Sequence, residues 1–164
     1  MTTRSIIIAD SGPLIALSII GQLELPRHLY REVWIPPAVW EEVVVQGRGL
    51  PGSWAVERLS WLEIHTPDAS ALPALMILVD RGEAEAIALA QGTEDSTVLL
   101  DDAKARRVAE HFGIRRIGTL GLLRRAKQAG LIESLRPFIE QLQDNGIYMQ
   151  QKLIEALLRD VGEA

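Results

Sequence analysis

The chain has 164 residues, 48% of them hydrophobic and 24% charged, and a formal net charge of −5 at pH 7. This length fits one domain with a sizeable core, and the composition excludes an intrinsically disordered chain. The absence of cysteine excludes disulfides and thiolate metal sites. The apolar runs are too short for a membrane span or a secretory signal, so we expect a cytoplasmic protein with no membrane contact.

The hydrophobic pattern alternates between strands and helices along the chain. Strands are predicted at 5–9, 32–36, 61–65, 96–100 and 114–118. Helices are predicted at 12–30 (one or two), 37–47, 53–60, 71–92 (two, separated at Arg81–Gly82), 102–113, 119–130, 133–146 and 148–162. The continuous apolar runs at 5–9 and 96–100 are typical of strands that are covered on both faces. The pattern predicts an α/β fold with a mainly parallel sheet and helices on both faces. We expect a single domain over residues 1–164, with C-terminal helices at about 134–161 packed on it or extending it.

Acidic residues follow the two most apolar strands. Asp10 comes directly after the run SIIIA, and Asp101 and Asp102 follow STVLL. In parallel sheets, ligands bind in the crevice beyond the carboxyl ends of the strands. If the two strands are neighbours, these carboxylates lie close together.

Two helices supply further acids. Glu42 lies at the edge of the apolar face of the helix at 37–47, and Glu83 and Glu85 occupy the first turn of the helix that starts at RGEAEAIALA. Each acid also has a purely structural interpretation. Asp101 or Asp102 can cap a helix, Glu83 and Glu85 can be first-turn acids, and Glu42 can belong to a solvated helix face.

Carboxylates that meet at one point repel one another, and a divalent cation removes that repulsion. A ligand set made only of oxygen atoms favours Mg²⁺ or Mn²⁺ over zinc. Such a cation can activate water and orient a phosphodiester. Ser11, beside Asp10, has no base near it in sequence, so we expect it to form a hydrogen bond rather than to act as a nucleophile.

Six stretches together resemble the PIN-domain family, and within it the VapC-like toxin branch. They occur in the family's order and cover nearly the whole chain: IIADSGPLIAL, IPPAVWEEV, RGEAEAIALA, VLLDDAKARRVAEHFGI, GTLGLLRRAKQAGLI and GIYMQQKLIEALLRDVGE. The resemblance implies a three-layer α/β/α sandwich with a five-stranded, mainly parallel sheet. It also implies a metal-dependent ribonuclease that uses Mg²⁺ or Mn²⁺.

The resemblance also implies site residues. The family's first acid falls on Asp10 and its second on Glu42. The third, usually an aspartate, is a glutamate here, and Glu83 is preferred to Glu85 because it directly follows the glycine. The fourth is Asp101 or Asp102, and the sequence leaves both open. Thr119 resembles a polar residue that many relatives place at the edge of the site.

The segment 103–127 carries eight lysines and arginines and a single acid, Glu110. Its charge of +7 contrasts with the −5 of the whole chain, and it follows the fourth acid directly. Three interpretations stay open. The cations can bind RNA phosphates without reading the base sequence, form salt bridges with the acidic remainder of the chain, or receive an acidic antitoxin segment, and we favour the first. The arginines singled out for this role are Arg106, Arg107, Arg124 and Arg125.

Two functions compete at this level. The first is an endoribonuclease that cleaves single-stranded RNA, with Asp10, Glu83 and one or both of Asp101 and Asp102 as metal ligands and Glu42 completing the site. As a toxin it would be neutralised by a small antitoxin protein, and the resemblance also suggests a homodimer. The second is a PIN-like binding module that has lost catalysis, an alternative that the glutamate at the third acidic position keeps open.

Overall fold

The computed structural model describes residues 5–164, and its centre is a five-stranded sheet in which every pairing is parallel. The strands are β1 (Ile6–Ala9), β2 (Glu32–Ile35), β3 (Leu62–Ile64), β4 (Ser96–Leu99) and β5 (Arg116–Ile117), and their order is β3-β2-β1-β4-β5. Strands β1 and β4 pair in register from Ile6 with Ser96 to Ala9 with Leu99, and both are fully buried. The prediction that both strands are covered on both faces is therefore confirmed, and the two strands are neighbours in the sheet.

Helices occupy both sides of the sheet, which confirms the three-layer α/β/α architecture. They are α1 (Ser11–Ile19), α2 (Leu25–Leu29), α3 (Pro37–Trp40), α4 (Ser53–Glu57), α5 (Leu72–Leu78), α6 (Arg81–Gln91), α7 (Ala103–His111), α8 (Thr119–Gln128), α9 (Arg136–Asp144) and α10 (Gln151–Asp160). A π-helical segment, Glu41–Gln46, continues α3, and a 3₁₀ turn, Ala69–Ala71, precedes α5. Among residues 5–164, none of the helices has the length and apolar content needed to cross a membrane.

The side chains of the strands alternate between two cores, as the pleat of a sheet requires. Ile7 and Leu99 pack with apolar residues of α1, α2, α8, α9 and α10 on one face. Ile8 and Val98 pack with α5, α6 and α7 on the other. The C-terminal helices contribute Ile139, Leu142, Ile154 and Leu158 to the first core.

Two helix boundaries differ from the sequence-based expectation. The predicted break at Arg81–Gly82 lies instead at Val79–Asp80, because Asp80 caps α6 from the position before Arg81. The predicted helix at 37–47 is regular only to Trp40 and then widens into the π-helical segment. This segment ends at Gly47, where a Cβ would lie only 2.4 Å from the carbonyl oxygen of Val43.

The strand order fixes where a ligand site can form. From β1 the chain adds β2 and β3 on one side of the sheet, and then returns to add β4 and β5 on the other. The topological switch point therefore lies between the carboxyl ends of β1 and β4. Asp10 occupies this point, where its backbone N–H donates to the carbonyl oxygen of Leu99 at 3.0 Å.

Candidate functional site

Asp10 is a nearly buried carboxyl group, only 8% exposed, between β1 and α1. Burial raises its pKa from 3.8 to about 8. This value also includes the effect of a hydrogen bond from the backbone of Ser11, which lowers the pKa, and of the negative charges of Glu83, Asp80 and Glu42, which raise it. The largest cause is desolvation, but acids from two other segments of the chain, the start of α6 and the π-helical segment, also act on this group.

Glu42 approaches Asp10 from the π-helical segment that follows α3. Its Oε2 accepts a hydrogen bond of 2.8 Å from the hydroxyl of Ser11, so Ser11 acts here as a hydrogen-bond donor. A Cβ built on Gly82 would lie 3.0 Å from this Oε2 and 3.4 Å from Oδ1 of Asp10. The two carboxylates therefore meet against the backbone at the start of α6, and the absence of a side chain at Gly82 makes room for them.

Glu83 lies in the first turn of α6 and is 8% exposed. Its Oε1 accepts from the backbone N–H of Asp80 at 3.2 Å, and its own N–H donates to Oδ1 of Asp80 at 2.9 Å, which forms a capping box. Burial raises the pKa of Glu83 from 4.5 to about 7, with the charges of Asp80 and Asp102 among the further causes. Glu83 thus links the Asp10 side of the site to the acids after β4.

Glu85, the other predicted candidate for the third acid, is committed to different partners. Its Oε1 accepts from the backbone N–H of Ala38 at 3.0 Å, and its Oε2 accepts from Nε of Arg81 at 2.9 Å. The first bond satisfies a free N–H in the first turn of α3, and the second forms an ion pair along α6. Glu85 therefore fastens α3 to α6, and the geometry favours Glu83 as the acid that faces Asp10.

The two aspartates after β4 have different environments. Asp101 accepts two hydrogen bonds from Thr119, 2.7 Å from its backbone N–H and 2.6 Å from its hydroxyl. Asp102 caps α7 by accepting from the N–H of Ala105 at 2.9 Å, and its charge acts on Glu83. Asp101 therefore holds the start of α8, and the geometry favours Asp102 as the fourth member of the acidic centre, which we define as Asp10, Glu42, Glu83 and Asp102.

Asp80 was missed by the sequence-based reasoning. Its charge acts on both Asp10 and Glu83, and its carboxylate caps α6. The signal that could have identified it is the capping-box spacing in DRGE, an aspartate three residues before a glutamate. Asp80 is a positioning residue for Glu83, since its backbone N–H and its carboxylate hold the first turn to which Glu83 belongs.

The four arginines proposed as RNA contacts lie in three different environments. Arg106 lies near Asp101, at the carboxyl end of β4. A Cβ built on Gly118 would be 3.6 Å from Nη1 of Arg106 and 3.0 Å from Oδ1 of Asp101. Arg107 is exposed on the same helix. Arg124 pairs with Asp160 at 2.7 Å, and Arg125 donates to the hydroxyl of Tyr30 at 2.6 Å. The last two therefore engage residues remote from the acidic centre.

The fold and the acidic centre together define an α/β protein with a carboxylate-rich ligand site at a topological switch point. A family model described as a PIN domain matches residues 6–163, and the chain therefore belongs to the PIN-domain family. PIN domains are typically nucleases, which are hydrolases, and they generally use divalent metal ions. None of the curated proteins matches the chain.

The chemistry of the donor set fits a hard divalent cation. The acidic centre offers only carboxylate oxygens, and burial together with neighbouring negative charges raises the pKa values of Asp10 and Glu83, an effect that a bound cation would oppose. Within residues 5–164, however, no group of three or more His, Asp or Glu side chains is arranged so that it could hold a metal ion. Glu42, Glu83 and Asp102 each use one carboxylate oxygen in these hydrogen bonds, which leaves the second oxygen of each as a potential metal ligand.

Proposed function

We propose that this protein is a metal-dependent endoribonuclease that cleaves phosphodiester bonds of single-stranded RNA. The observation that carries the proposal is the meeting of Asp10, Glu42 and Glu83 at the switch point, with the charge of Asp102 acting on Glu83. The three segments that supply the first three acids are far apart in the chain, and gathering Glu42 beside the buried carboxyl groups of Asp10 and Glu83 is costly unless a cation neutralises the like charges.

Asp10, Glu83 and Asp102 are the residues that would hold Mg²⁺ or Mn²⁺, and Glu42 would complete the site. When bound, the cation supplies Lewis-acid stabilisation and activates water for attack on phosphorus. The protein's own groups orient the site: Ser11 holds the carboxylate of Glu42, and the capping box holds Glu83. Arg106, whose Nε is buried without a hydrogen-bond partner among the described residues, is placed to contact a phosphate at the same edge.

The test is Mn²⁺-dependent cleavage of a generic single-stranded RNA by the wild-type protein and by paired variants. Asp10→Asn and Glu83→Gln are expected to reduce cleavage to background, whereas Glu85→Gln keeps an acceptor for Ala38 and retains activity. Asp102→Asn and Asp101→Asn form a second pair, because asparagine preserves both caps. Loss of activity in Asp102→Asn but not in Asp101→Asn supports Asp102 as a ligand. Equal inactivity of the wild type and Asp10→Asn contradicts the proposal.

A catalytically inactive binding module is the second candidate. It is favoured by the glutamate at the third acidic position. Calorimetric titration with Mn²⁺ separates the two candidates before any nuclease assay. Binding that disappears in Asp10→Asn supports the nuclease, and RNA binding without Mn²⁺ binding supports the module.

The toxin role is proposed from the resemblance to the VapC-like branch, together with a small antitoxin partner and a homodimer. Induced expression of the wild type should arrest growth of a bacterial host, whereas equal expression of Asp10→Asn should not. Arrest by both variants would separate growth inhibition from the acidic centre. Sedimentation of the purified protein tests the homodimer.

A further inference from the structure

A second charged cleft lies at the edge of the sheet opposite to the acidic centre. It has a volume of about 540 Å³, and its lining includes Tyr30, Asp95, Thr97, Arg115, Arg116 and Arg125. Tyr30 precedes β2, Asp95 precedes β4, and Arg115 precedes β5, so the cleft lies at the amino-terminal ends of these strands. We call these six residues the basic cleft. A strand of four residues spans about 13 Å, so the basic cleft and the acidic centre are separated by a distance of about this size.

The cationic groups of the basic cleft are incompletely neutralised. Among the described residues Arg125 has no carboxylate partner, and its Nη1 donates instead to the neutral hydroxyl of Tyr30 at 2.6 Å. Arg115 pairs with Asp95 at 2.6 Å, but both side chains are more than half exposed, and such pairs contribute little to stability. Arg116 pairs with Glu110, while its Nε is buried without a hydrogen-bond partner within residues 5–164. The three arginines therefore face a single acid within the cleft.

Neutral donors complete this arrangement. The phenol oxygen of Tyr30 accepts from Arg125, so its O–H remains able to donate to a ligand. Burial raises the pKa of Tyr30, so that the hydroxyl stays protonated at neutral pH. The guanidinium of Arg125 also lies 4.9 Å from the centre of the Tyr30 ring, which restrains both side chains. Thr97, 9% exposed, adds a hydroxyl. The donors are suited to an anion with several acceptor oxygens.

We propose that the basic cleft binds a backbone phosphate of a single-stranded RNA, a few nucleotides away from the bond held at the acidic centre. The choice of RNA rests on the proposed function. The edge strand β5 connects the two places, because Asp101 and Arg106 lie near Gly118 at its end and Arg115 lies at its start. A guanidinium provides forked donors that fit phosphate oxygens, and Arg115 can exchange its exposed partner Asp95 for a phosphate.

The cleft predicts that RNA affinity depends on length. A tetranucleotide can occupy either the basic cleft or the acidic centre, whereas a 12-mer can reach both. Binding is measured by fluorescence anisotropy of labelled RNAs in EDTA, so that cleavage plays no part. Arg125→Gln and Arg115→Gln should each remove most of the advantage of the 12-mer, about tenfold, and reduce the salt dependence of its binding by about one phosphate contact. Arg159→Gln, which removes an exposed charge on α10, is the matched control.

Further variants separate binding from a structural role of the Arg125–Tyr30 contact. Arg115 is 59% exposed, so Arg115→Gln should fold normally even if Arg125→Gln does not. Thermal melting of every variant identifies those that lose affinity through loss of structure. Tyr30→Phe removes only the hydroxyl and should weaken the 12-mer with little change for the tetranucleotide.

Three results would overturn the proposal: equal effects of Arg115→Gln and Arg159→Gln, equal loss for both RNA lengths, or displacement of the 12-mer by oligoglutamate at lower concentrations than by an unlabelled 12-mer. The last result would assign the cleft to an acidic protein partner. A fourth result, competition by inorganic phosphate at concentrations equal to those of RNA, would also overturn the proposal and assign the cleft to a free phosphate. Because the assay needs no metal and no cleavage, failure of the nuclease proposal leaves these outcomes unchanged.

Discussion

Replacing Asp10 by asparagine should make the metal-free protein more stable, and the gain should grow with pH. The unfolded chain loses the proton of Asp10 near pH 3.8, whereas the folded protein retains it up to about pH 8. Between these values the folded state binds more protons than the unfolded state, so the free energy of unfolding falls as pH rises. This contribution is fully present below pH 3.8 and is lost by pH 8. Asparagine has the same shape and does not titrate.

For one proton, the free energy of unfolding changes by about 1.4 kcal/mol for each pH unit. Between pH 6 and pH 8 the advantage of Asp10→Asn over the wild type should therefore increase by about 2 kcal/mol, allowing for partial ionisation near pH 8. This interval also avoids the isoelectric point of about 5.2. Urea unfolding in EDTA, followed by the fluorescence of the four tryptophans, measures the difference at each pH.

Glu41→Gln is the control for this experiment, because Glu41 is exposed beside Glu42. Its stability relative to the wild type should not change between pH 6 and pH 8. Parallel curves for Asp10→Asn and the wild type would refute the reasoning, since they would mean that Asp10 is already ionised at pH 6. Excess Mn²⁺ should abolish the advantage of Asp10→Asn at pH 8, because the cation binds the ionised carboxylate of the wild type.

Three further outcomes are expected. Mn²⁺ binding should release protons near pH 7, as Asp10 and Glu83 ionise, and calorimetry in two buffers of different ionisation enthalpy detects this release; identical heats in both buffers would contradict it. Ser11→Ala should lower single-turnover cleavage about tenfold, because Glu42 loses its donor; an unchanged rate would leave Ser11 without a role. Thr119→Val should lower the free energy of unfolding by about 1–3 kcal/mol in urea titrations, since Asp101 loses a buried partner, while Mn²⁺ affinity stays constant; a large loss of affinity would return Asp101 to the metal site.

The layers of the fold could be predicted because each depends on a local pattern. The continuous apolar runs at 5–9 and 96–100 indicate strands covered on both faces, and the alternation with amphipathic helices indicates a parallel sheet. The π-helical widening after Trp40 has no counterpart in the sequence pattern, which predicts one continuous helix to Gly47. The end of α5 was placed two residues late because Asp80 was not recognised as a cap.

The sequence alone determined that carboxylates would follow the strands at one edge of the sheet, because the ends of parallel strands point the same way. It did not determine whether Glu83 or Glu85, and whether Asp101 or Asp102, faces the other acids. Glu83 differs from Glu85, and Asp102 from Asp101, through distant partners: Ala38 binds Glu85 across 47 positions of the chain, and Thr119 binds Asp101 across 18. It also grouped Arg124 and Arg125 with the cations near the acids, whereas α8 carries them toward Asp160 and Tyr30. Only the tertiary structure decided these roles, because hydrogen bonds and charge interactions depend on distances in space that the spacing of residues along the chain does not specify.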